Sequence, residues 1–110
     1  MSFGSREDGR FTVAIVEDVR LDASLAEAFK SFLFDSIEKG AVAIIVDLTN
    51  VKFMDSSGLG ALVAALKKMP GNGQLILAGA QPAVRDLFDL TSMDKLFSIA
   101  STVDDALVNY

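Results

Sequence analysis

The chain contains no cysteine and no histidine, and only two prolines. Without cysteine there is neither a disulfide framework nor a thiolate nucleophile, which suits a reducing cytoplasm. Without histidine the commonest general base and the commonest transition-metal ligand are missing together. No G-x-G-x-x-G or G-K-[ST] run occurs; Gly58-Leu59-Gly60 and Gly71-Asn72-Gly73 do not continue as phosphate-cradling loops do. The longest apolar stretch, Gly58 to Leu66, falls far short of the roughly 20 residues that span a bilayer. Met1 to Asp8 lacks the apolar core of a signal peptide. Basic charge is scarce as well: 10 Lys and Arg against 15 Asp and Glu leave a net charge of −5. Such a surface repels a phosphate backbone, so nucleic acid is not an expected partner. Together these absences describe a soluble cytoplasmic domain with no membrane anchor, no metal and no cofactor of its own.

What is present is apolar and periodic. A chain of 110 residues, 51% of them apolar, is the size of one domain with one core, spanning 1–110. Residues 1–9 read as a loosely ordered lead-in. Phe11, Val13 and Ile15 alternate between Arg10 and Val16, which predicts a half-polar strand at a sheet edge. Ser24-Leu25-Ala26-Glu27 has the form of a capping box. Behind it Leu25, Ala28, Phe29, Phe32, Leu33 and Ile37 recur at helical spacing until Lys39-Gly40. Phe34 falls off that stripe, which suggests an exposed position or a contact with a second chain.

Ala41 to Leu48 is apolar on both faces and β-branched in its middle, as an interior strand is. Thr49 to Met54 is a connection with room for a short extended piece. A second helix places Leu59, Leu62, Val63 and Leu66 on its inner side and ends near Lys67-Lys68, before a turn at Pro70 to Gly73. Gln74 to Ala78 reads as a strand, Pro82 as a helix start, Leu96 to Ala100 as a strand and Ser101-Thr102-Val103-Asp104 as another N-cap. Strands alternating with helices imply an α/β layer structure with parallel strands. The expected architecture is a single small mixed β-sheet of about four to five strands packed with about four to five α-helices.

The most informative segment is Phe53-Met54-Asp55-Ser56-Ser57-Gly58-Leu59-Gly60. Two hydroxyls follow an acidic residue where a strand-like run gives way to a helix, at the end of the sheet where α/β folds place their working groups. Serine is among the best capping residues, and capping alone explains one of the pair. A second serine is left to present its hydroxyl for modification. Asp47 and Asp55 could be read as an acid–base or magnesium pair, but Asp47 sits at a strand end, where acidic residues are common in such folds. With no base or metal site in prospect, the chain reads as the target of an enzyme and not as an enzyme.

Val51 to Gly60 closely resembles the signature of STAS domains, in particular bacterial anti-sigma factor antagonists. The likeness extends to Leu21-Asp22-Ala23, Ile44 to Leu48, Pro82 to Phe88 and Lys95-Leu96-Phe97. The resemblance implies a STAS fold and a partner-switching role. An unmodified antagonist binds an anti-sigma factor that is also a serine kinase of the GHKL type, and so frees a sigma factor. The kinase modifies the first hydroxyl of the motif, here Ser56, and a PP2C-type phosphatase reverses it. Asp55, Ser57 and Gly58 then surround the phosphoacceptor, and Asp22 is an acidic loop residue beside it. ATP and magnesium belong to the kinase. The segment Glu17-Asp18-Val19-Arg20 departs from the family in lacking a glycine before the leucine–aspartate pair, so the partner-facing loop differs here. A constitutive scaffold or transporter subunit, indifferent to phosphate, is the alternative that STAS modules offer.

Overall fold

In the computed structural model, which describes residues 3–110, the period-two pattern from Phe11 sorts side chains onto two faces of a sheet. Strands β1 (Phe3–Asp8) and β2 (Phe11–Val16) are joined at Gly9, whose φ of 60° is a left-handed conformation that glycine adopts freely. The short β3 (Arg20–Leu21) leads into α1 (Ala23–Glu38), and β4 (Ala43–Asp47) follows. Next come β5 (Phe53–Met54), α2 (Ser56–Lys68) and β6 (Gln74–Ala78). α3 (Pro82–Leu90), a 3-10 turn at Met93–Lys95, β7 (Ser98–Ala100) and α4 (Val103–Asn109) complete the order.

The main sheet runs β1-β2-β4-β6-β7, antiparallel between β1 and β2 and parallel thereafter. Each parallel step needs a crossover, and α1, α2 and α3 supply them in turn. On one face Ala14, Val16, Ile44, Val46, Leu75 and Leu77 pack against Phe29 and Leu33 of α1, Leu59 and Leu62 of α2, and Phe88 of α3. The other face, with Phe11, Val13, Ile45 and Ile76, is covered by α4 through Ala106, Val103 and Leu107. β4 is therefore apolar on both sides, as its composition requires.

Several expectations are corrected. Residues 3–8 of the expected lead-in form the edge strand, in register from Phe3↔Val16 to Asp8↔Phe11; residues 1 and 2 lie outside the described residues. The polar run Ser5-Arg6-Glu7-Asp8 masks this strand in sequence, and such charge is what an exposed edge carries. Phe3 anchors it, with its ring centroid 5.5 Å from that of Phe29 and 5.3 Å from that of Phe32. The strand from Phe11 thus lies second in the sheet and not at its edge. Beside the main sheet, β3 and β5 form a separate two-stranded parallel ladder that periodicity did not announce.

The capping box at Ser24 does not form either. α1 begins earlier because the ladder ends at Leu21, which puts Asp22 at the cap in extended conformation. Glu27 pairs with Lys30 at 3.3 Å and does not reach back. Phe34 packs against the core, with the ammonium groups of Lys30 and Lys68 at 5.9 and 5.1 Å from its ring centroid. It is half-buried and not fully exposed. At the far end the N-cap expected within Ser101 to Asp104 is Thr102, which accepts from the Asp105 amide at 3.0 Å.

Candidate functional site

The β3–β5 ladder is the platform of the site. Arg20 pairs with Phe53 and Leu21 with Met54. The Val19 carbonyl accepts from the amides of Lys52 and Phe53 at 2.7 and 3.2 Å, and the Leu21 carbonyl accepts from the Asp55 amide at 3.4 Å. Leu21 and Met54 point into the core and fix the ladder there. Alternation turns Arg20 and Phe53 outward, where the guanidinium lies 4.3 Å from the ring centroid.

One residue past each strand stands an aspartate, and each aspartate opens a helix. Asp22 and Asp55 have nearly the same extended backbone, with φ, ψ of −119°, −169° and −114°, −172°. Asp22 Oδ1 accepts from the Ser24 amide at 3.1 Å and from the Ser24 hydroxyl at 2.6 Å. Asp55 Oδ1 accepts from the amides of Ser57 and Gly58 at 2.9 and 3.3 Å. The carboxyl of Asp22 titrates below the usual aspartate range, chiefly because the Ser24 hydroxyl donates to it. Desolvation, the next effect in size, opposes it, and the Ser24 amide and Arg20 add lesser contributions that lower it further. A depressed carboxyl of this kind supports the fold fully above its unfolded value, and that support is lost only as pH falls through the folded one.

The serine pair sits between these caps. The cap of α2 is Asp55 and neither serine, so the expectation that one serine would close the helix is corrected. An aspartate one residue earlier reaches the same amides and leaves both hydroxyls out of that role. Ser56, the first helical residue, is exposed, and Ser57 is half-buried. Gly58 is buried against the ladder: a Cβ there would lie 2.7 Å from the Leu21 carbonyl oxygen and 2.8 Å from Met54 Cγ. Only glycine lets α2 start this close.

The fold therefore gathers Asp22, Asp55, Ser56, Ser57 and Gly58 around one ladder. Asp47 stays apart from it, its Oδ1 taken by the Thr49 amide and hydroxyl at 3.0 and 2.5 Å. Among the described residues no group of His, Cys, Asp and Glu is placed to hold a metal ion. Val19, in the loop that the resemblance makes partner-facing, and Phe53, in the serine motif, are 51% and 41% exposed, and sequence reasoning did not foresee that they would be left in solvent. Their signal in sequence was faint, an isolated valine and phenylalanine in polar connections. Asp55→Ala should remove both capping bonds and cost about 1 kcal/mol. That predicts a thermal midpoint roughly 4–8 °C lower, read by circular dichroism; an unchanged midpoint would refute the capping role.

A family model described as STAS domain matches residues 8–106. An anti-sigma-B factor antagonist of Listeria monocytogenes is 32% identical over 80 residues, which cover 72% of this chain and 70% of that protein. The crystal structure of an anti-sigma factor antagonist from Mycobacterium paratuberculosis superposes with a TM-score of 0.90 at 27% identity, covering 96% of this chain and 90% of the other. The Bacillus cell fate determinant SpoIIAA in its phosphorylated form shares the fold, with a TM-score of 0.72, 24% identity and 96% of each chain covered. No helix among the described residues is long and apolar enough to cross a membrane.

Proposed function

The chain belongs to the STAS domain family, and from that premise we propose that it is an anti-sigma factor antagonist switched by phosphorylation of Ser56. Unmodified, it docks on an anti-sigma factor that is also a serine kinase of the GHKL type, and a sigma factor is released. The kinase supplies ATP and magnesium and transfers a phosphoryl group to the Ser56 hydroxyl, after which the complex separates. A PP2C-type phosphatase restores the hydroxyl. The protein itself contributes a surface and an acceptor oxygen, and no catalysis.

The observation that carries this reading is an exposed hydroxyl at the first position of α2 whose capping duty is taken by Asp55. Phe53, just before it in the chain, and Val19, whose carbonyl accepts from the Phe53 amide, are exposed and give a partner apolar area to bury. Asp22, Asp55 and Ser57 form the surroundings the kinase would meet, whereas Gly58, expected among them, is buried and serves to seat α2 on the ladder. The other STAS role, a constitutive scaffold whose serines merely cap a helix, loses its reason for the serines once Asp55 makes both bonds. Incubation with a GHKL kinase and ATP, followed by peptide mapping in a mass spectrometer, should find one added phosphate on Ser56. Phosphate on another residue, with Ser56 untouched, would overturn the assignment.

A further inference from the structure

We infer that Arg20 is the intramolecular ligand of a phosphate carried on Ser56, and that taking this role pulls its guanidinium off Phe53. The inference rests on the reading of Ser56 as phosphoacceptor. A phosphate at a helix start ordinarily settles on the free amides there. In this chain the amides of Ser57 and Gly58 are already held by Asp55 at 2.9 and 3.3 Å. The Asp55 carboxylate, and that of Asp22 one strand over, meet the new dianion with like charge. A cation beside it would offset that repulsion.

Arg20 is placed to be that cation. The ladder sets it beside Phe53, and its Nε lies 3.4 Å from Asp22 Oδ2, so the side chain already leans toward the start of α1. Its present tethers are weak: the side chain is 62% exposed, and the ring contact is at 4.3 Å. A charge-assisted, bidentate pair with a dianion is stronger than stacking on an exposed ring. Lys52, the neighbouring cation, stands one residue before the ladder and is out of step with Arg20 in the alternation. Modification would then reshape the docking face as well as recharge it, since Phe53 loses the cation stacked on its ring.

The test uses the full chain with phosphoserine installed at position 56 during translation, so no kinase is required. Phosphorus NMR should place the second phosphate pKa about one unit lower in the otherwise native protein than in Arg20→Gln. Arg20→Lys should recover part of the difference, and Lys52→Gln should match the native sequence. The Phe53 ring resonances should move on phosphorylation of the native chain and stay still in Arg20→Gln. Equal titration of Arg20→Gln and the native chain, or an equal effect of Lys52→Gln, would overturn the inference. If kinases ignore Ser56, the regulatory reading falls while this chemical result stands, so the two can fail separately.

Discussion

Phosphorylation of Ser56 should weaken binding to the partner kinase by roughly several hundredfold, whereas Ser56→Ala should bind within about threefold of the unmodified chain. Ser56 is exposed and its helix is capped by Asp55, so removing or esterifying the hydroxyl leaves the start of α2 intact. What changes is charge at the contact. The ester brings about −1.5 to −2 charge beside two carboxylates. Unit charges ~4 Å apart interact by ~4 kcal/mol at an effective dielectric of 20, and each 1.4 kcal/mol is about tenfold in affinity. Ser56→Asp adds a single charge on a shorter stem and should lose roughly tenfold. Calorimetric titration of the kinase with the four forms gives this ranking directly. Equal affinity for the phosphorylated and unmodified chains would end the idea of a switch.

Gly58→Ala should destabilise the protein by about 1–3 kcal/mol, although alanine is intrinsically better in a helix by up to about 1 kcal/mol. The added methyl would meet the Leu21 carbonyl oxygen at 2.7 Å, closer than real Cβ contacts come. That oxygen belongs to a backbone pinned by the ladder and by the Asp55 amide, so it cannot step aside. Met54 Cγ at 2.8 Å and Leu21 Cγ at 3.2 Å crowd the same space. At Gly60, on the same helix, an added Cβ would meet nothing within 4 Å. Gly60→Ala should therefore stabilise, by about 0.4–1 kcal/mol. Urea titrations of both variants separate close approach from helix propensity. A Gly58→Ala protein as stable as the native one would mean the helix can slide away from the ladder at little cost.

Much of this was readable from residues. The interior strand at Ala43–Asp47 betrays itself by being apolar on both faces, and α2 by its stripe of leucines. The serine pair announced the site, and the family resemblance supplied Asp22 as its neighbour. β1 was not legible, because Arg6, Glu7 and Asp8 hide a strand behind charge that only an edge tolerates. The β3–β5 ladder was not legible either: runs of two residues are too short to show any period. With the ladder unseen, the caps fell on the serines by local grammar, when long-range pairing assigns them to the aspartates just past each strand. The contact of Arg20 with Phe53 escaped notice for the same reason, since it exists only through that pairing.

The ladder also ties two loops into one mechanical piece. Amides at 52, 53 and 55 all lean on carbonyls of Val19 and Leu21, so the turn before α1 and the turn before α2 share a single splint. A strain applied to either turn is handed to the other without slack. A protein gripping only the Asp18–Asp22 side would still feel a phosphate if one were placed on the serine across from it.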